Sequence, residues 1–238
     1  MALVIATCGQ KGGSGKSQTA RALSAELARK KKSVVVADLD VDQRTVSEWA
    51  QARASNKISP EIRVEVVDPD EDADFRIPEL SRGVDYVVCD APGWSDALTL
   101  SLAGWADLIV LPSEPSVDDL RPTIRLYHEL VGAGIEKQRI LIVLNRVRTD
   151  LEVKFARDYL RQAGEITALA ATIPDMPIYR KGSNVGQAMT EVSSSEPQRK
   201  AREVTDAIMK VLGGLKKRTK PRHSEEAARF TLKDGESW

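Results

Sequence analysis

The chain has 238 residues, enough for one well-buried α/β domain, and nothing in that length demands a second. With 42% hydrophobic and 29% charged residues, 15 glycines and 11 prolines, it is excluded from the disordered and fibrous classes. Its formal charges sum to zero but are unevenly spread: residues 68 to 75 are acidic, whereas residues 199 to 222 are basic and opposed only by Glu203 and Asp206.

The first apolar run, LVIA at 3 to 6, has no basic leader or small-residue cleavage site and is too short to span a bilayer, which points to a cytoplasmic protein. Further runs follow at 34 to 39, 62 to 67, 86 to 90, 108 to 112, 140 to 145 and 168 to 174. Most are continuous, as in strands buried on both faces of a parallel sheet. Between them, helical spacing covers 17 to 31, 43 to 54, 95 to 104, 117 to 132, 149 to 163 and 196 to 212. This alternation predicts right-handed βαβ crossovers and one doubly wound, mostly parallel sheet of seven or eight strands, flanked by helices. Gly213 and Gly214 are expected to break the last helix, leaving a domain over 1 to 212 and a basic, polar tail over 213 to 238. Cys8 and Cys89 lie within strand runs and read as buried, inert thiols.

The stretch GQKGGSGKS follows the first strand and precedes a helix, the context of the phosphate-binding G-x-x-x-x-G-K-[ST] loop, whose closing G-K-S it carries at Gly15, Lys16 and Ser17. Gly12, Gly13, Ser14, Gly15, Lys16, Ser17 and Gln18 are therefore expected to cradle a nucleotide. Lys16 would meet the β and γ phosphates and Ser17 a Mg²⁺ ion. The second strand ends in DLD, placing Asp38 and Asp40 on one side of its end, and the fourth ends at Asp90 before Pro92 and Gly93. Carboxylates there suit a metal role for Asp38 and Asp90 and orientation of an attacking water by Asp40; the alternative for Asp38 or Asp40 is to cap the next helix. Base preference follows from NRVR after the sixth strand. Asn145 begins it, but Arg148 stands where a guanine-accepting carboxylate would be needed, which favours ATP.

With KGGSGKS, DLD, CDAPG and PDMPIYRKG in view, residues 2 to about 212 resemble the ParA/MinD family of deviant Walker A P-loop ATPases, most of all the short, ParF-like plasmid partition members. The family's usual D-x-D-P-Q is altered here, with Val41 in place of proline and Asp42 before Gln43. The resemblance implies Mg·ATP as cofactor, with Asn145 and Pro174 among the nucleotide contacts. It also implies an ATP-sandwich homodimer in which Lys11 contacts the partner's nucleotide, so that Lys11, Lys16 and Asp40 form the catalytic set. The same resemblance implies slow hydrolysis stimulated by a ParB-type adaptor, nonspecific DNA as partner, and association with the nucleoid. Clustered cations at Arg180, Lys181, Arg199, Lys200, Arg202, Lys216, Lys217 and Arg218 would supply phosphate contacts. Two other readings stay open. One is a related ATPase positioning a protein cargo, such as carboxysomes or chemoreceptor clusters. The other is a MinD-like membrane cycle, which the last helix disfavours because its apolar stripe lacks Phe and Trp and suits packing on the sheet.

Overall fold

Six of the seven apolar runs become strands: β1 (Leu3–Thr7), β2 (Val34–Asp38), β3 (Arg63–Val66), β4 (Tyr86–Asp90), β5 (Leu108–Ser113) and β6 (Ile140–Leu144). The computed structural model describes residues 2 to 68, 76 to 93 and 96 to 215. The strands form one sheet in the order β3-β2-β4-β1-β5-β6, and every pairing is parallel. Such a sheet needs crossover helices, and α1 (Lys16–Arg29), α2 (Thr45–Ser55), α3 (Asp96–Trp105) and α4 (Val117–Gly132) lie between strands, while α5 (Asp150–Gln162), α6 (Pro177–Asn184) and α7 (Ser195–Gly214) follow β6.

Side chains alternate between the two faces of the sheet. Val4 and Ala6 of β1 join one core cluster with Leu102, Leu120, Leu126 and Leu160 from α3, α4 and α5. Ile5 joins the other face with Leu23, Tyr179, Val204, Ile208 and Leu212 from α1, α6 and α7. The apolar stripe of α7 is therefore turned inward onto the sheet.

Two expectations need correction, and one short helix was not foreseen. The run at 168 to 174 is not a strand, so the sheet has six strands among the described residues. It makes one isolated bridge to β6, Ile142–Ala168, and a second, Val147–Pro174, to the segment just after that strand. Leu169 N–H donates to the Ile142 carbonyl and Ile173 N–H to the Leu144 carbonyl, so four residues on one side span two on the other and the ladder breaks. Gly213 and Gly214 do not stop the last helix, which continues through both. The eight-residue α6, begun by Pro177 in its first turn, had no apolar periodicity long enough to announce it.

Candidate functional site

The site lies at the carboxyl edge of the sheet, where parallel α/β folds bind ligands. Register places Thr7, Asp38 and Asp90 in one row, since Asp90 pairs with Thr7 of β1 on one side and Asp38 of β2 on the other. The loop after β1 wraps above this row and delivers α1. Gly15 is in the left-handed region (φ 103°), and a Cβ on it would lie 1.9 Å from the Asn145 amide nitrogen. Only glycine fits there. The start of α1 has no side-chain cap. By contrast, Ser116 caps α4, and Thr149 with Glu152 forms a capping box on α5. The starts of α6 and α7 also lack a side-chain cap; what sets α1 apart is that its free amides follow the glycine-rich loop and face the cleft, where a phosphate can take them.

Gly12, Gly13, Gly15, Lys16, Ser17, Gln18, Asp40 and Pro174 line a cleft of about 240 Å³ together with Arg21, Gln43, Gly93, Arg146, Asp175 and residues of α6. Ser14 is buried behind it, and its hydroxyl has no hydrogen-bond partner. Asp90 is fully buried; its Oδ1 accepts from the Thr7 hydroxyl at 3.1 Å, and its Oδ2 lies within hydrogen-bond distance of no donor among the described residues. Burial pushes the Asp90 carboxyl up to about 7, opposed by the Ser17 and Thr7 hydroxyls and by Lys16. Arg21 Nε, Trp49 Nε1, Arg157 Nε and Thr190 Oγ1 are buried without partners as well, but only the Ser14 hydroxyl and Asp90 Oδ2 belong to the phosphate loop and the strand end beneath it, where they fit a magnesium-bound phosphate group.

Asp38, also fully buried, is committed elsewhere. Its Oδ2 accepts from the Ser47 hydroxyl at 2.6 Å and the Ser47 amide at 3.0 Å, and its Oδ1 from the Asp40 amide at 3.3 Å. Oδ2 therefore caps the first turn of α2, the alternative to a metal role, while Oδ1 holds the turn that precedes it. Asp40 lines the cleft and accepts from the Gln43 amide at 3.1 Å, closing the turn that leads into α2.

The two lysines of the loop are bound differently. Lys16 is buried and donates to the Lys11 carbonyl at 3.2 Å, and burial lowers its pKa against the pull of Asp90 and Asp40. Lys11 is exposed and pairs with Asp119 of α4 at 2.7 Å, which raises its pKa. Asp119 in turn accepts from the Ser116 hydroxyl.

Asn145, expected among the nucleotide contacts, is fully buried beneath the loop, where its amide donates to the Ser14 carbonyl at 2.8 Å. The strand-end residue that lines the cleft is Arg146, paired with Glu114 at 2.7 Å. Arg148 pairs with Asp175 at 3.3 Å, and Arg180 approaches the same carboxylate at 3.6 Å. Sequence reading did not single out Arg21. The signal was a basic residue four positions after Ser17, one turn further along α1.

The cation candidates separate in space. Arg180 is at the cleft rim and Lys181 is exposed beside it on α6. On α7, Arg199 pairs with Glu203, and Arg202 donates to the buried Glu26 of α1 at 3.2 Å; Lys200 is half-buried. Lys216, Lys217 and Arg218 lie outside the described residues. Burial pushes the Cys8 thiol up to about 12. No helix among the described residues is long and apolar enough to cross a membrane.

A model of the CobQ/CobB/MinD/ParA nucleotide binding domain matches residues 5–187. Maintenance of carboxysome distribution protein A of Gloeobacter kilaueensis is 30% identical over 165 residues, 68% of this chain and 72% of that protein. Protein virC1 of Rhizobium radiobacter is 29% identical over 133 residues, 54% of this chain and 56% of that protein. Among solved structures, the cell division ATPase MinD of Pyrococcus furiosus superposes with a TM-score of 0.69 at 21% identity, covering 89% of this chain and all of that one. A putative plasmid partition protein of Borrelia burgdorferi B31 bound to AMPPNP also reaches 0.69, at 13% identity, covering 88% of this chain and 99% of that one.

Proposed function

The chain belongs to the CobQ/CobB/MinD/ParA nucleotide-binding family, and we propose that it is a ParA-type ATPase whose Mg·ATP-bound form is a sandwich dimer that binds nonspecific DNA. The observation that carries this reading is the uncapped start of α1 above two unpartnered buried atoms, the Ser14 hydroxyl and Asp90 Oδ2. Lys16 and the loop amides take the phosphates. Ser17 and Asp90 would hold Mg²⁺, which neutralises phosphate charge when bound. Asp40, at the cleft wall, orients the attacking water.

Lys11 is the residue that makes this a dimer. It is exposed and turned toward Asp119 of α4 in its own protomer, and release from that pair would free its ammonium for a neighbour's nucleotide. A cation supplied in trans stabilises transition-state charge as an arginine finger does. Hydrolysis is then slow until a ParB-type adaptor favours the productive dimer. Arg180 and Lys181 supply DNA-phosphate contacts at the cleft side, and the dimer associates with the nucleoid through them. No stable membrane binding is expected, because Val204, Ile208 and Leu212 of α7 are buried against the sheet.

A second reading, positioning of a protein cargo, is favoured by the 30% identity to the carboxysome distribution protein. It uses the same site and dimer and differs only in the adaptor. Gel filtration and DNA-shift with ATP, ADP or no nucleotide test the common core. Dimer and DNA complex should both require ATP and both vanish in Lys11→Ala, with loss of about a thousandfold in stimulated hydrolysis. DNA binding by a Lys11→Ala monomer would reject the sandwich.

A further inference from the structure

Asp40 lies on a turn between β2 and α2, and a turn by itself does not hold a carboxylate to the tolerance that water orientation requires. The Asp40 carbonyl accepts from the Arg44 amide at 2.7 Å, and its carboxylate accepts from the Gln43 amide at 3.1 Å, so the turn moves as one piece with the start of α2. That start is gripped by Arg21. From the α1 turn that follows the phosphate loop, its guanidinium donates to the Thr45 carbonyl at 2.6 Å and to the Ser183 hydroxyl of α6 at 2.5 Å. The side chain is buried and lies 5.9 Å from the Trp49 ring centroid, with Arg53 over the same ring at 5.3 Å. Arg53 is anchored by Glu191 at 2.7 Å and by the Gly186 carbonyl at 3.0 Å. Gly186 packs so closely that a Cβ there would lie 2.2 Å from the Arg53 amide nitrogen.

We propose that Arg21 is the positioning residue for Asp40, a strut that ties the water-orienting turn to the phosphate helix α1 and to α6, which also lines the cleft. The guanidinium suits this because it is planar and carries several fixed donors; two of them point to acceptors on two different elements. Both of those elements, with α1 itself, line the nucleotide cleft. A nucleotide seated against α6 and the loop therefore meets Asp40 already in register. The inference rests on the reading of Asp40 as the water-orienting group.

The test uses the full chain with Mg·ATP and DNA. Single-turnover hydrolysis of γ-labelled ATP and equilibrium binding of a fluorescent ATP analogue are measured for wild type, Arg21→Gln, Arg21→Lys, Asp40→Ala and the Arg21→Gln/Asp40→Ala double variant. Arg21→Gln should slow hydrolysis about tenfold or more while analogue affinity changes less than about twofold. Arg21→Lys should recover part of the rate, because an ammonium can keep one of the two acceptors. The double variant should be no slower than Asp40→Ala, since a group that acts only through Asp40 has nothing left to act on. Additive losses, a normal rate in Arg21→Gln, or loss of analogue binding in both Arg21 variants would overturn the inference and leave the role of Asp40 standing. A wild-type rate in Asp40→Ala would instead remove the reading on which it rests.

Discussion

The nucleotide cleft and the α1–α7 flank are both rich in charge and buried polar groups, yet they are built on opposite principles. At the cleft, the Ser14 hydroxyl and Asp90 Oδ2 are buried without partners and the start of α1 is uncapped. On the flank, Glu26 has only 3% of its side chain exposed and receives Arg29 at 2.6 Å and Arg202 at 3.2 Å, while Lys30 meets Asp206 at 2.5 Å. Unsatisfied burial is costly, so the first arrangement marks a place completed by a ligand; the second is complete without one. A basic residue is thus weak evidence for a phosphate site until its protein partner has been sought.

The largest effect expected from this contrast is at Lys16. Among the described residues its ammonium donates to the Lys11 carbonyl, a neutral acceptor that phosphate oxygens outbid. Lys16→Ala removes a charge-assisted contact of about 1.5–3 kcal/mol, and ATP binding measured by fluorescent-analogue titration should weaken about 10- to 100-fold. Unchanged affinity would show that the orphan atoms are not completed by phosphate.

An intermediate effect separates the two groups of cations. The Arg180→Ala/Lys181→Ala pair should lower the slope of log K for DNA against log salt by about 1 to 2 and leave thermal stability unchanged. Arg202→Ala should do the reverse. Glu26 then keeps Arg29 alone, at a cost of about 1 kcal/mol and a melting shift of about 2–4 °C. A salt slope that falls in Arg202→Ala with no melting change would put α7 on the DNA surface after all.

What the sequence disclosed follows the range of the interactions. The phosphate loop is a local object, and its glycine-rich, lysine-ended pattern between strand and helix points to the cleft without any tertiary contact. Five strand runs and the 117–132 helix were legible for the same reason, as unbroken burial and a single apolar stripe. The pairing of Arg202 with Glu26 spans 176 residues, and that of Arg21 with Ser183 spans 162; no local pattern announces either. The segment at 168 to 174 misled because its composition is apolar, whereas strand formation depended on a ladder that its spacing against β6 cannot sustain. Asn145 was recognisable as important, but whether it faced the base or the loop depended on Ser14, 131 residues away.

The smallest effect concerns Asp119, which holds Lys11 in its own protomer. The side chain of Lys11 is 46% exposed, so the pair contributes no more than about 1 kcal/mol. For Lys11 to contact a neighbouring nucleotide, this bond must be given up, and its cost is subtracted from dimer formation. Asp119→Asn keeps the shape and a partner for Ser116 while removing the charge. ATP-dependent dimers, followed by sedimentation, should then form at about two- to fivefold lower protein concentration, with monomer affinity for ATP unchanged. The gain should disappear in the Lys11→Ala/Asp119→Asn double variant, because only a lysine can be released by losing that carboxylate. A gain that persists there would mean that Asp119 opposes dimerisation through its own charge and not by holding Lys11.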